Sequence, residues 1–280
     1  MEKVGVIGCG TMGTGIALAC ATAGYSVKIV DSNLKKVNDG LVNIQSQIQR
    51  NADRKKISQL DGDSIFERII GDVDISFIAD SDYVIEAAYE DLEIKKNIFS
   101  ILDNLCVDSK FIASNTSSLA IASIASSCKR KDRILGIHFF NPVPVMGLVE
   151  LIGSLNTSTD CIKEAQIFVE SLNKTVVKVK DTPGFVVNRL LIPYILDAIR
   201  IYESGIALRE DIDQGITLGL NHPMGPLSLA DLIGLDVVMM IAESLYKELG
   251  ESRFNPPTML RRLVSSGNLG RKTKQGFYNY

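Results

Sequence analysis

The feature that most constrains the fold is a glycine-rich loop near the start of the chain. An apolar run at residues 4–7 is followed by Gly-Cys-Gly-Thr-Met-Gly at residues 8–13, and residues 12–24 have the pattern of a helix. A G-x-G-x-x-G hexapeptide alone is a weak signal, because a plain strand–turn–helix corner also uses glycines. Between a strand and a helix, however, it is typical of a dinucleotide-binding βαβ unit.

Each glycine of this loop has a physical role in such a unit. The first permits the tight turn, the second lets the backbone approach a pyrophosphate, and the third lets the helix pack close to the strand. Free N–H groups at the helix N-terminus then bind the phosphates. The predicted cofactor contacts in the loop are Gly8, Cys9, Gly10, Thr11, Met12 and Gly13.

Strand and helix patterns alternate over the first two thirds of the chain. Strands are predicted at residues 4–7, 27–30, 83–87, 111–114, 134–140, 148–152 and 176–179, and helices at 12–24, 34–56, 91–106, 119–126 and 160–172. Strands this apolar belong to a parallel sheet that helices cover on both faces. We therefore predict a Rossmann-type, doubly wound, mostly parallel α/β domain over residues 1–182, which binds NAD.

The pattern changes at Asp-Thr-Pro-Gly, residues 181–184. Beyond it no strand is predicted, and helical patterns cover residues 186–204, 210–218, 226–249 and 257–266. Pro-Gly punctuation with a change of period marks a domain boundary. Residues 183–280 are predicted to form an all-α domain for substrate binding and dimerisation, since several of these helices are strongly apolar.

Composition excludes several classes of protein. The net charge of −3 gives no basic excess for nucleic-acid binding, and no apolar run reaches the ~18 residues of a membrane span. The first residues enter a predicted strand, so we expect no signal peptide. The 5 cysteines have neither paired nor metal-ligand spacing, which predicts buried thiols, no metal and a cytoplasmic protein.

Asp31 ends the second predicted strand, 23 residues after Gly8. A carboxylate there would accept hydrogen bonds from the adenosine ribose and would repel a 2′-phosphate. No arginine follows in the sequence Ser-Asn-Leu at residues 32–34. This pattern favours NAD(H) over NADP(H), although an aspartate at a strand end is also often the cap of the next helix.

His138 and Glu150 are isolated polar residues in two successive apolar strands. A satisfied core histidine is the ordinary explanation of the first. Three observations favour catalysis instead: His138 ends a strand after the cofactor loop, Asn141-Pro142 follows it, and a buried carboxylate is costly unless it is paired. Oxidation of an alcohol by hydride transfer needs a base for the hydroxyl proton. We predict one dyad, in which Glu150 fixes the imidazole and the other ring nitrogen faces the substrate.

Small polar residues follow the strand at 111–114. Such residues either cap the next helix or bind a ligand, and we expect Ser118 to cap the helix and Ser117 to face the site. Asn188 lies among apolar residues in the first helix of the second domain, which favours an inward role over a surface one.

At these residues the chain resembles the 3-hydroxyacyl-CoA dehydrogenase family, and within it the bacterial 3-hydroxybutyryl-CoA dehydrogenases. The resemblance covers the whole chain, and so many motifs in the same order make it specific. They are VIGCGTMGTGIA, VIEAAYEDLEIKK, SNTSSLAI, HFFNPVPVMGLVELI, DTPGFVVNRLLIPY, NHPMGPLSLADLIGLD and GRKTKQGFYNY.

The resemblance implies an activity and residue roles. It implies reversible NAD-dependent oxidation of a short-chain (S)-3-hydroxyacyl-CoA thioester by a homodimer. His138 matches the catalytic base, Glu150 its partner, and Ser117 and Asn188 the residues that bind the substrate. The positions implied for the cofactor are Glu90, Lys95, Ser117, Asn141 and Lys272.

Two features stand apart from these matches to the family pattern. A basic segment with Arg50 and Arg54 is either a solvated helix face or, as the resemblance implies, the arm that binds the CoA nucleotide. Gly147 stands where the family commonly has lysine, which removes a positive charge near the edge of the site. Two other functions stay open: a related dehydrogenase of a free hydroxy acid or sugar acid, and a non-catalytic NAD-binding protein.

Overall fold

The structure, a computed structural model, describes residues 1–280 and consists of two compact units. The first unit is Met1–Thr182 and the second is Pro183–Tyr280. No helix in either unit has both the length and the apolar character needed to cross a membrane.

The first unit is built around one sheet of 8 strands. The strands are β1 (Lys3–Ile7), β2 (Ser26–Val30), β3 (Ile69–Asp72), β4 (Tyr83–Glu86), β5 (Phe111–Ser114), β6 (Ile134–Phe139), β7 (Leu148–Gly153) and β8 (Thr175–Lys180). The helices are α1 (Thr11–Thr22), α2 (Leu34–Asp53), α3 (Gln59–Glu67), α4 (Leu92–Leu105), α5 (Ile121–Ala125) and α6 (Thr159–Ser171).

The strand order is β3-β2-β1-β4-β5-β6-β7-β8. Every neighbouring pair is parallel except β6 and β7, which are antiparallel. The chain moves outward from β1 to β3 and then returns to β4 on the other side of β1. A crevice opens at such a reversal, at the carboxyl ends of the strands, and ligands bind there. The predicted Rossmann-type, mostly parallel sheet is confirmed.

The sequence patterns missed β3 and α3. β3 is a short strand at the sheet edge in which only Ile69 is buried, so it lacks the apolar run that reveals the inner strands. α3 is short and buries only Gly62 and Ile65, but it begins with a capping box between Ser58 and Asp61. That capping signal was present in the sequence.

The second unit contains helices and short turns around its own apolar core. Its helices are α7 (Val187–Glu203), α8 (Arg209–Gly219), α9 (Pro226–Ile233), α10 (Leu235–Leu249) and α11 (Thr258–Ser265). The single helix predicted over 226–249 is wrong, because Gly234 separates α9 from α10. Its φ of +103° is a conformation that glycine adopts without strain.

Candidate active site

The glycine-rich loop joins β1 to α1 and leaves its backbone open to a ligand. A Cβ on Gly8 would lie 2.4 Å from the Ala87 carbonyl oxygen, and one on Gly13 would lie 1.8 Å from the Gly8 carbonyl oxygen. These two glycines are therefore required by the fold. Gly10, the N-cap residue of α1, has no side-chain cap, and a Cβ there would meet nothing within 4 Å. The open space beside uncapped N–H groups fits a pyrophosphate.

Asp31 sits beside this loop at the end of β2. Its carboxylate accepts the Cys9 N–H at 2.9 Å and the Ser32 N–H at 2.6 Å. Burial alone would raise the pKa of Asp31, but these hydrogen bonds and the Lys36 ammonium, 3.4 Å away, lower it below its usual value. The aspartate is not the cap of α2, since Asn33 accepts the Lys36 N–H at 3.0 Å.

A cavity of about 400 Å³ adjoins Asp31 and Gly8. Most of its remaining lining is apolar, which suits a purine ring beside a ribose that the carboxylate can bind. Part of this wall was not predicted from the sequence, because Val73 and Ile75 follow the unpredicted strand β3. The apolar lining residues are Ile7, Val30, Val73, Ile75, Ala88, Ile94 and Ile98.

His138 and Glu150 are partners across β6 and β7. The imidazole Nδ1 lies 2.8 Å from Glu150 Oε2, and the residues are 4% and 0% exposed. The Ser117 hydroxyl lies 3.1 Å from the other ring nitrogen, Nε2. One ring nitrogen therefore meets a buried carboxylate while the other meets a small hydroxyl. This arrangement can hold the imidazole in one tautomer and move a proton at Nε2.

A second buried network holds Glu90 and Lys95. The Lys95 ammonium lies 2.6 Å from Glu86 and 3.3 Å from Glu90. Burial alone would raise the pKa of Glu90, but Lys95 and hydrogen bonds from residues 116–117 hold it below its usual value. Glu86 gives the same sequence signal as Glu150, a single acid in an apolar strand, but it was not among the predicted site residues.

The loop after β5 differs from prediction at Ser118. Its hydroxyl donates to Glu90 at 3.2 Å and does not cap α5. The Asp181 carboxylate accepts the N–H groups of Ile121 and Ala122 instead, at 2.9 and 2.7 Å. The expected Ser118 cap is wrong because a residue distant in sequence satisfies these donors.

Comparison with known proteins agrees with this geometry. Residues 3–182 match the model of the 3-hydroxyacyl-CoA dehydrogenase NAD binding domain, and residues 184–280 match the C-terminal domain of the same family. The chain belongs to the 3-hydroxyacyl-CoA dehydrogenase family. The N-terminal domain of this family binds NAD, the cofactor that the glycine loop and Asp31 predict.

Individual members of the 3-hydroxyacyl-CoA dehydrogenase family match over 91% or more of their own length. A 3-hydroxybutyryl-CoA dehydrogenase of Clostridioides difficile is 43% identical over 99% of this chain and 99% of its own. The human mitochondrial hydroxyacyl-coenzyme A dehydrogenase is 41% identical over 100% of this chain and 91% of its own. The crystal structure of (S)-3-hydroxybutyryl-CoA dehydrogenase from Ralstonia eutropha has a TM-score of 0.95 and 42% identity, over 100% of this chain and 99% of that one.

The remaining predicted site residues are distributed over both units. Asn141 follows β6 and is exposed, as are Arg50 and Arg54 at the end of α2. In the second unit, Asn188 is buried in α7, and the Lys272 ammonium pairs with Asp236 at 2.5 Å. The roles assigned to these residues stay predictions. His, Cys, Asp and Glu side chains form no group of three or more that could hold a metal ion.

Proposed function

We propose that this protein is an NAD-dependent dehydrogenase that interconverts (S)-3-hydroxybutyryl-CoA, or a related short-chain 3-hydroxyacyl-CoA, with acetoacetyl-CoA or the matching 3-ketoacyl-CoA. The observation that carries the proposal is the buried His138–Glu150 pair with the Ser117 hydroxyl beside the other ring nitrogen, Nε2. Full-length relatives named 3-hydroxybutyryl-CoA dehydrogenase support the choice of substrate. We assign the activity to fatty-acid and butanoate metabolism.

His138 is the proposed general acid and base. In the oxidation direction Nε2 takes the proton of the 3-hydroxyl group, and in the reduction direction the imidazolium returns it. Glu150 holds Nδ1–H and stabilises the positive charge of the imidazolium, and its position 2.8 Å from Nδ1 supports that role. When bound, the nicotinamide supplies the hydride acceptor for C3 of the hydroxyacyl group.

Ser117 and Asn188 are the proposed hydrogen-bond donors to the reacting oxygen. The Ser117 hydroxyl lies 3.1 Å from Nε2, so an oxygen that contacts the imidazole lies within reach of the serine as well. A donor at this point stabilises negative charge as it develops on the oxygen. Asn188 receives its role from the family resemblance, and Arg50 and Arg54 are proposed on the same ground to bind the CoA nucleotide.

The proposed NAD contacts divide into two groups. The loop at residues 8–13 and Asp31 would bind the pyrophosphate and the adenosine ribose, which the open backbone at Gly10 and the neighbouring cavity support. Glu90, Lys95, Ser117, Asn141 and Lys272 are assigned to the nicotinamide half by the family resemblance. We further propose a cytoplasmic homodimer that associates through the second unit.

Steady-state kinetics test this function. We expect NADH oxidation with acetoacetyl-CoA, little with acetoacetate, and a much lower kcat/KM with NADPH; longer 3-ketoacyl-CoAs define the chain-length preference. His138→Gln should lose most of kcat and still bind NADH, whereas His222→Gln, a change at the other, exposed histidine, should be active. Preference for the free acid would favour a hydroxy-acid dehydrogenase. NADH binding with no turnover on either substrate would favour a non-catalytic protein.

A further inference from the structure

Glu86 lies at the end of β4 with 0% of its surface exposed, and the chemistry proposed above does not use it. Oε1 accepts the Ala88 N–H and the Lys95 ammonium, both at 2.6 Å, and Oε2 accepts the Ser114 hydroxyl at 2.7 Å. The Ser114 oxygen accepts the Thr116 N–H at 3.2 Å, so its own proton is free for Glu86. All three partners of Glu86 are donors, and a carboxylate has acceptor sites for each of them.

Lys95 connects Glu86 to Glu90. Its side chain is 1% exposed, and its ammonium lies 2.6 Å from Glu86 and 3.3 Å from Glu90. The ammonium also donates to the Ala88 carbonyl oxygen at 3.4 Å, but a buried positive charge needs carboxylate partners to offset its lost hydration. Glu86 is the closer and the more deeply buried of the two acids, so it fixes where the lysine charge lies.

Glu90 connects the lysine to the loop that carries Ser117. Its Oε1 accepts the Thr116 hydroxyl at 2.5 Å, the Ser117 N–H at 3.0 Å and the Ser118 N–H at 3.3 Å. The Ser117 hydroxyl then lies 3.1 Å from His138 Nε2. A continuous set of polar contacts therefore runs from Glu86 to the imidazole.

We infer that Glu86 is a positioning residue for the reaction, which holds the Lys95 ammonium so that Glu90 can fix residues 116–118 and keep the Ser117 hydroxyl against His138. The inference rests on the proposed function, because the Ser117–His138 contact is its catalytic part. Without the Glu86 charge, Lys95 is left with Glu90 as its one carboxylate partner. The lysine then draws the Glu90 carboxylate away from the N–H groups of Ser117 and Ser118.

Glu86→Gln tests this role, because glutamine keeps the shape of the side chain but loses its charge. Its amide NH2 group would also face the donors that the carboxylate now accepts from. Two quantities are measured: kcat with acetoacetyl-CoA and NADH, and hydrogen exchange of the Ser117 and Ser118 amides in the protein without cofactor. We expect both amides to exchange faster. We also expect kcat to fall by about 10- to 100-fold, the loss that a misplacement of about 1 Å can cause, with KM for acetoacetyl-CoA little changed.

Asp103→Asn is the matched control. Asp103 is likewise a buried carboxylate, 5% exposed, and it lies on α4 at the opposite end of the helix from Lys95. It accepts from the Lys129 N–H and from Arg130. This variant should lose stability, with no faster exchange at residues 117–118 and no loss of kcat. If the Asp103 variant shows the same faster exchange and loss of kcat, the effect is general destabilisation and the inference is overturned.

Other results of the Glu86→Gln experiment also decide the inference. Wild-type kcat in Glu86→Gln overturns the inference, and so does a loss of kcat with unchanged exchange at both amides, since Glu86 then acts by another route. If Glu86→Gln does not fold, Glu86→Asp carries the test, because it keeps the charge and retracts the carboxylate by one methylene group. A wild-type protein without dehydrogenase activity would refute the proposed function, and the exchange measurement alone would then decide whether Glu86 fixes the loop.

Discussion

His138 and Glu150 stand directly opposite each other in the one antiparallel pair of the sheet, with Nδ1 2.8 Å from Oε2. Directly paired residues on antiparallel strands place their side chains on the same face, within reach of each other. A register slip of one residue would turn one of the two side chains to the opposite face of the sheet. The antiparallel pairing of β6 and β7 therefore brings the two side chains of the dyad together.

The dyad should behave as one unit in mutant kinetics. His138→Gln should lower kcat by ~10²–10⁴-fold, the usual contribution of a general base, and Glu150→Gln should also lower it. Because a catalytic pair acts together, the double variant should be little worse than His138→Gln alone. The measurement is kcat for the two single variants and the double variant, with NADH affinity as the control. Fully additive losses would mean that Glu150 acts independently of the imidazole.

Asp31 should select NADH over NADPH. The double change Asp31→Ser with Ser32→Arg removes a carboxylate that repels the 2′-phosphate and adds a cation that binds it. We expect the ratio of kcat/KM for NADPH to that for NADH to rise. Asp31→Ser alone is the control, and it should weaken both cofactors because Asp31 also accepts the Cys9 N–H. Equal use of NADPH and NADH by the wild type would refute the assignment.

Glu90 should stabilise the protein in a pH-dependent way. Its lowered pKa means that its contribution is fully present above the usual value of 4.5 and is lost as the pH falls through the lower folded-state value. Glu90→Gln should therefore lower the free energy of unfolding at pH 7 by roughly 1–3 kcal/mol. Urea titrations of both proteins at several pH values from 7 to below 4 measure the difference between their free energies of unfolding. This difference should become smaller as the pH falls below 4.5, the usual pKa of a glutamate. A stability difference that does not change with pH would show that the negative charge of Glu90 does not contribute to it.

The second unit should form the contact of a homodimer. Large apolar side chains are exposed on and beside its helices, and four of them are 66–74% exposed: Leu190, Ile206, Leu208 and Leu218. A contiguous patch of exposed apolar residues marks an interaction surface, and we expect these side chains to form one. Sedimentation analysis at micromolar concentration should give a dimer, and Leu218→Glu should weaken it more than Leu155→Glu, a change at a fully exposed leucine of the first unit. A stable monomer would contradict the prediction.

Features of the fold and site could be predicted from the sequence where a short motif stood in a recognisable local context. The glycine loop between β1 and α1 predicted the Rossmann-type sheet, and isolated polar residues in apolar strands pointed to His138 and Glu150. Edge strand β3 could not be found this way, because one buried residue in four gives no periodic signal. The wall of the cofactor cavity at Val73 and Ile75 was missed for the same reason.

Contacts between distant residues were the other limit of sequence analysis. The cap of α5 comes from Asp181, 60 residues after Ile121 in the chain, so local sequence pointed wrongly to Ser118. Glu86 was visible as an acid in an apolar strand, but its partners Lys95 and Ser114 become neighbours only in the folded sheet. Local patterns therefore predicted single residues, whereas the networks that hold them required the tertiary structure.

Gly147 offers a test of the positive charge that the family commonly has at this position. A Cβ on this exposed glycine would meet nothing within 4 Å, so a side chain fits without displacing a neighbour. The carbonyl oxygen accepts the Thr175 N–H at 2.7 Å, a backbone contact that a substitution keeps. Gly147→Ala and Gly147→Lys should therefore fold, and the alanine variant should gain about 0.4–1 kcal/mol from reduced freedom of the unfolded chain.

The two Gly147 variants separate conformational freedom from charge. If the position lies near the path of the anionic CoA thioester, Gly147→Lys should lower KM for acetoacetyl-CoA relative to Gly147→Ala, with kcat unchanged. The difference should fade as salt is raised, because exposed charges are screened beyond about 10 Å at 0.1 M ionic strength. The measurement is KM for both variants at low and high salt, with thermal unfolding as the control for folding. Equal KM values at low salt would show that the charge at residue 147 does not affect substrate binding, and the family lysine would then need another explanation.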